Sequence, residues 1–289
     1  EIKIQIVCSE QDKQRIASHL KAYFPTAILH EQYIDDFGFD IHENIAIADF
    51  GMNDEFMRPI ATNESFAIDP LTSMIATMDT LQSNDIAVFQ ILFKGITSPL
   101  ANDISYAVSD GAGGSFFDDA PEMPHCAKDK IANPLFAVVM RIGTQGESNI
   151  RSQYLAQELA RSISAVSSSH FNKLIPLSNE GYSYDFHFYN LHNRLSNRLG
   201  FILNLKELNT FLHYPNKTVV SQKLGLQDGK TKQVPSSLTR HKYLLGINSH
   251  HGRETEVTLN DEIRLRHTNF IGAPGVGKST LIAILMHQD

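Results

Sequence analysis

One stretch constrains this 289-residue chain more than any other. His267-Thr268-Asn269-Phe270-Ile271 reads as a short strand, residues 272–279 have the form G-x-x-x-x-G-K-S, and Leu281–Met286 (LIAILM) opens an apolar helix. Strand, glycine-rich loop and helix in that order form a P-loop in the context its chemistry requires. Gly272, Gly275 and Gly277 let the backbone take positive φ and approach a phosphate closely. Successive N–H groups then make an anion nest above a helix N-terminus, whose dipole favours negative charge. Lys278 is placed to reach the β- and γ-phosphates as a point charge. Ser279 is placed to put its hydroxyl on Mg²⁺. The expected cofactors are ATP and Mg²⁺. The expected nucleotide contacts are Gly272, Gly275, Val276, Gly277, Lys278, Ser279 and the helix-start residue Thr280. Lys278 is the catalytic candidate and Ser279 the metal ligand. The bland alternative is a glycine-rich turn carrying an exposed lysine.

Eleven residues follow Lys278. A P-loop NTPase also needs an acidic residue on a later strand to hold Mg²⁺ and position water, and no room for one remains. The expectation is the N-terminal portion of a longer NTPase, which by itself does not turn over ATP efficiently.

Composition narrows the class. The 42% hydrophobic and 20% charged residues are ordinary for a globular chain and too apolar for a disordered one. The length suits about two domains. No run of 18 apolar residues and no basic-then-apolar leader is visible, so neither a membrane span nor a secretory signal is expected. Two cysteines, Cys8 and Cys126, make neither a disulfide framework nor a zinc site, and a cytoplasmic location is the natural expectation. Charge is uneven. Residues 216–289 hold 10 Lys/Arg against 6 Asp/Glu, and residues 1–215 hold 15 against 26. The acidic part is poorly suited to nucleic acid or anionic lipid, so any polyanion contact belongs to the C-terminal quarter.

The chain opens as β-α-β-β. Ile2–Val7 alternates like a strand, Ser9 to Asp12 has the form of a helix start, a helix runs to about Tyr23, and Ala27–Gln32 and Asn44–Phe50 read as strands. Asp69-Pro70 starts a second helix with Leu71, Met74, Ile75, Met78 and Leu81 on one face. Ile86–Phe93 and Pro134–Ile142 are strands. Residues 99–133, with little periodicity, read as a long loop or mobile insertion. A helix over Ile150–Val166 and a strand over Phe171–Leu177 follow. Asp185–Arg198 reads as helix and Phe201–Asn204 as a short strand, and Asn204 with Glu207 begins another helix that Pro215 ends. Tyr243–Ile247 and Glu256–Leu259 are strands. The fold class is α+β: an accessory region on mostly antiparallel sheet over 1–222, a linker over 223–242, and the start of a RecA-like P-loop domain over 243–289.

Other candidates are weaker. His250-His251 suits a turn better than a metal site, because adjacent side chains of an extended segment point to opposite faces. His125-Cys126 lacks a second ligand pair. Asp118, Asp119 and Glu122 suit a solvated loop. Lys223, Lys230, Lys232, Arg240 and Lys242 fit a phosphate-contacting stretch or a plain linker equally well. His213 reads as a packed helix-end residue.

Four segments together resemble the HerA/FtsK superfamily of motor ATPases, most closely its branch related to conjugation and type IV secretion coupling proteins. They are Asp69-Pro70-Leu71 with Val88–Leu92; Asn133-Pro134-Leu135-Phe136 running to Arg141-Ile142; Glu207-Leu208 with Leu212-His213-Tyr214-Pro215; and the entry to the P-loop from Leu245-Gly246 through Arg253-Glu254-Thr255 and Arg266-His267 to Gly272. Ala273-Pro274 departs from the family's loop and is similar to that of AAA+ proteins. The resemblance implies an oligomeric, often hexameric, ring with DNA or protein passing through it, driven by ATP and Mg²⁺, with a mixed accessory region before the motor. A DNA translocase is the leading expectation, its acidic accessory region facing a partner protein or neighbouring subunits. A non-catalytic docking module and an AAA+ protein-remodelling ATPase are the alternatives.

Overall fold

The computed structural model describes all residues except 25–28, 31–36, 41–43, 98, 113, 217, 225–231, 251–252, 267–268, 270, 272–274, 276 and 289. In chain order its elements are α1 (Glu10–Tyr23), β1 (Ile45–Met52), α2 (Leu71–Asp79), β2 (Ile86–Gly95), α3 (Leu100–Val108), α4 (Met123–Ile131), β3 (Leu135–Gln145), α5 (Asn149–Ser167), β4 (Leu174–Pro176), α6 (Tyr184–Asn193), β5 (Phe201–Asn204), α7 (Leu205–Leu212), β6 (Tyr243–His250), β7 (Arg253–Leu259), α8 (Asp261–Arg264) and α9 (Lys278–His287). They form two compact units, one of Glu1–Ile2 with Ile34–Gly225 and one of Lys3–Tyr33 with Leu226–Asp289.

The larger unit is α+β and is built around β3. Along one side β3 pairs with β2 over its whole length. Along the other it is shared by β1, opposite residues 141–145, and β5, opposite residues 135–138. β4 then adds to the far end of β1. Every one of these pairings is antiparallel. The two-residue period sorts the side chains of β3. Val138, Met140 and Ile142, all fully buried, enter a core with Leu159 and Ile163 of α5, Met74 and Ile75 of α2, and Leu208 and Phe211 of α7. Arg141, Gly143 and Gln145 point the other way, where Phe39, Ile45, Ile47 and Leu191 of α6 gather. Gly143 is needed there, because a Cβ would stand 2.6 Å from Leu191 Cδ2 and 3.2 Å from Phe39.

α5 follows its sequence pattern: Leu155, Leu159, Ile163 and Val166 are all buried, and the Ser148 side chain accepts from the Arg151 amide as N-cap. α7 has the full capping box between Asn204 and Glu207.

Several expectations need correction. Residues 99–133, read as a loop, carry α3 and α4. Ile104, Val108, Met123 and Ala127 form a satellite core against Leu135. Both helices have only nine residues, too short for a clear 3.6-residue period, and Pro124 sits in the first turn of α4, where proline starts a helix rather than breaking one. Ile2–Val7 is not a strand. Only Ile2 makes a bridge, to Leu224, while Ile4, Ile6 and Val7 are exposed; alternation alone makes no strand without a ladder partner. α6 stops at Asn193, short of the expected Arg198, because Arg194 turns left-handed (φ 58°) and its amide returns to Asn190 and Leu191. The strand expected at Ala27–Gln32 falls largely outside the described residues.

In the smaller unit β6 and β7 pair as an antiparallel hairpin. Among the described residues, Tyr243, Leu259 and Leu285 are its buried apolar side chains, with Thr258 buried beside them. The Gln288 carboxamide brackets the Leu244 backbone, accepting from its amide at 2.7 Å and donating to its carbonyl at 3.0 Å, which ties α9 to β6. α1 is capped by Ser9, whose hydroxyl oxygen accepts from the Asp12 amide, as the sequence predicts.

Candidate functional site

The described part of the predicted P-loop is Gly275 and Gly277–Thr280; Gly272 and Val276, with most of the preceding strand, lie outside the described residues. Gly275 and Gly277 adopt φ of +83° and +87°, a region that costs an L-residue strain, and a Cβ on either would meet nothing. Gly277 is the N-cap of α9, and no side chain caps that end. The first intrahelical bond runs from the Leu281 amide to the Gly277 carbonyl at 3.0 Å. Lys278 is the first helical residue and is half-buried; Ser279 and Thr280 are exposed. A left-handed glycine turn entering an uncapped ten-residue helix suits an oxyanion, because the first-turn amides and the helix dipole point at it. These residues fit a nucleotide phosphate. Ser279 fits the Mg²⁺ that accompanies it, since Mg²⁺ takes few protein ligands beside phosphate oxygens and water. Among the described residues no three His, Cys, Asp or Glu side chains cluster as a metal site.

The larger unit holds three polar centres, each around a buried carboxylate, that pattern reading did not find. In the first, Lys130 of α4 meets Glu207 of α7, both fully buried, with Nζ 2.8 Å from Oε2 and 3.0 Å from Oε1. Glu207 also accepts from the amides of Ile60 and Asn204. Burial pushes the Lys130 ammonium below its ordinary range and Glu207 pulls it partly back.

In the second, Asp49 of β1 takes Arg141 Nε at 3.2 Å, His187 Nε2 at 3.0 Å and Arg198 Nη1 at 3.5 Å. None of the three donors is aligned as a hydrogen bond. The Arg198 guanidinium lies 4.2 Å from the Tyr182 ring centroid. Burial lowers the Arg141 pKa, Asp49 opposes that, and Arg198 adds to it.

In the third, Asp69 accepts from the amides of Leu71 and Asn216 and lies 2.9 Å from His213 Nε2. Burial alone would raise the Asp69 pKa, but the Asn216 amide, His213 and the Leu71 amide outweigh it and hold the carboxyl below its usual value. Asp69 and His213 thus join the start of α2 to the end of α7. This agrees with the helix-end reading of His213.

The weaker candidates disperse. His125 is exposed and sits 3.3 Å from Asp129, while the neighbouring Cys126 is fully buried. Glu122 pairs with Arg58 at 2.5 Å, away from the exposed Asp118 and Asp119. Lys223, a candidate for phosphate contact, instead donates to the carbonyls of Asp79 at 2.7 Å and Leu81 at 2.5 Å, closing the C-terminal end of α2. Lys242 donates to the Tyr243 hydroxyl at 3.0 Å. Lys230 and His251 lie outside the described residues.

Compared with protein-family models, curated proteins and solved structures, the chain matches none of them.

Proposed function

We propose that Gly275, Gly277 and the first turn of α9 form a nucleotide-phosphate site, and that the chain belongs to an ATP-driven DNA translocase of HerA/FtsK type. One observation carries the reading: two glycines at φ of +83° and +87° lead directly into an uncapped helix whose first residue is Lys278. In this proposal the amides of 277–280 and the helix dipole hold the phosphates, Lys278 neutralises developing charge on them, and the Ser279 hydroxyl orients Mg²⁺. Bound ATP supplies the transferable phosphoryl group. DNA contact is assigned to the basic C-terminal quarter and to a ring of copies, and partner contact to the acidic larger unit. No described helix is long and apolar enough to cross a membrane; a cytoplasmic location belongs to the same proposal.

The test is titration of the full chain with ATP and Mg²⁺ by calorimetry. Lys278→Ala is expected to weaken binding at least tenfold with an unchanged circular dichroism spectrum, and to abolish DNA-stimulated turnover in the complete motor. Wild-type binding by the variant, or retained turnover, overturns the assignment.

A further inference from the structure

We propose that the edge of β1 beyond β4 is a docking site for an extended, uncharged segment of a partner protein, which bridges to the Ile45 carbonyl and the Ile47 amide. Among the described residues, β1 is bonded to β4 only over Phe50–Met52; from Ile45 to Ala48 its strand neighbour is β3 alone. The parity of that stretch is fixed by bonds on its outer side, where the Ile45 amide is already taken up by the Tyr184 hydroxyl. Asn179 Nδ2 donates to the Ile47 carbonyl at 2.7 Å, and the Leu177 amide donates to the Asp49 carbonyl at 2.8 Å. The N–H and C=O of one strand residue point the same way, and the direction alternates along the strand. The Ile47 N–H and the Ile45 C=O therefore also point outward, where a further strand would take them as a ladder pair.

Both residues line a cavity of about 350 Å³. Its opposite wall is α5, which presents Asn149, Gln153 and Gln157 at four-residue intervals. Four-residue spacing puts three carboxamides on one helix face over about 12 Å. A strand repeats its outward groups about every 6.8 Å, so this row offers donors and acceptors along a peptide main chain. His187 closes the cavity. It is 3% exposed, and its contact with Asp49 is not an aligned hydrogen bond.

Charge selects the occupant. Among the described residues no Asp, Glu, Lys or Arg lines the cavity, so a charged side chain entering it would lose water without gaining a counter-ion from them. Exposed sheet edges are ordinarily protected by charge, proline or a bulge. Ile45-Ala46-Ile47-Ala48 has no charge and no proline, and its register with β3 is unbroken. A pocket for a small molecule needs no strand edge; a ladder pair facing a row of carboxamides suits a peptide backbone. The proposal stands whether or not Lys278 acts on nucleotide.

The experiment uses the full chain and a displayed library of random twelve-residue peptides. Selected peptides are expected to slow exchange of the Ile47 amide hydrogen at least tenfold. N-methylation of one peptide residue should weaken binding at least tenfold while methylation of its neighbour does not. Gln153→Trp, from an exposed helix position, should abolish binding with the melting temperature unchanged. The proposal is overturned if no selected peptide loses binding to Gln153→Trp, if Ile47 exchange is unmoved, or if every N-methylated peptide still binds. The last outcome would assign the cavity to a side chain or small molecule.

Discussion

Lys130→Met tests the buried ion pair that ties α4 to α7. Methionine keeps most of the apolar stem and removes the cation, leaving the fully buried Glu207 carboxylate with the Ile60 and Asn204 amides. Breaking a buried pair on one side costs about 3–5 kcal/mol. A ceiling applies, because Glu207 can escape by binding a proton. From an unfolded value near 4.3, neutralising it at pH 7 costs about 2.7 pH units at about 1.36 kcal/mol each, or about 3.7 kcal/mol. At pH 5 the same step costs about 1 kcal/mol. In the variant a proton relieves the unpaired buried carboxylate, so the deficit should shrink as pH falls from 7 to 5. Urea unfolding followed by far-UV circular dichroism and tyrosine fluorescence suits a chain without tryptophan. The expected loss is about 3 kcal/mol at pH 7 and about 1 kcal/mol at pH 5, and adding Glu207→Gln should recover at least about 2 kcal/mol of it. A loss under about 1 kcal/mol at pH 7, or one independent of pH, would show that the amides alone carry the carboxylate and refute the reasoning.

Gly143→Ala should destabilise the larger unit by about 1–3 kcal/mol, because the new methyl meets Leu191 and Phe39; its thermal midpoint checks this. Gly200→Ala should cost more, since its nearest obstacle is the Val138 carbonyl oxygen, which cannot rotate away. The Asp69 carboxyl is held below its usual value by Asn216, His213 and Leu71 against the opposing effect of burial. The stability it contributes is therefore present above about pH 4 and lost as pH falls through the lower folded value. A urea midpoint followed from pH 6 to 2 should fall below pH 4 in the wild type and change less in Asp69→Asn. Gly277→Ala should cost about 1 kcal/mol for the left-handed turn and weaken ATP binding in calorimetry.

Local rules made much of the larger unit legible. Leu155, Leu159, Ile163 and Val166 announce the buried face of α5 by their spacing, and Asn204 with Glu207 announces the start of α7 by its capping box. Each signal lies within one element, where a period or a cap is a sufficient cause. What was missed depends on distant partners. Asp49, Arg141 and His187 belong to β1, β3 and α6, and nothing near any of them in sequence marks it as buried. Lys223 read as linker charge because its acceptors are carbonyls 142–145 residues away. Glu207 was legible as a cap but not as the partner of Lys130, 77 residues earlier.

The candidate sites follow the same division. The glycine turn before α9 is a local device, written in closely spaced glycines and a helix start, so its residues could be named from spacing alone. The β1 edge is a topological device. It exists because β4 reaches only Phe50–Met52, leaving the outward Ile45 carbonyl and Ile47 amide beside the carboxamide row of α5. A motif scan sees the first and has no means to see the second, since the direction of a strand's N–H groups is a property of the whole sheet. Substitutions should separate them. Changes at Gly277 or Lys278 should alter nucleotide affinity and leave peptide binding intact, and Gln153→Trp should do the reverse. If either change abolished both activities, the two units would not act as independent devices, and the assignment of nucleotide to one and partner to the other would fail.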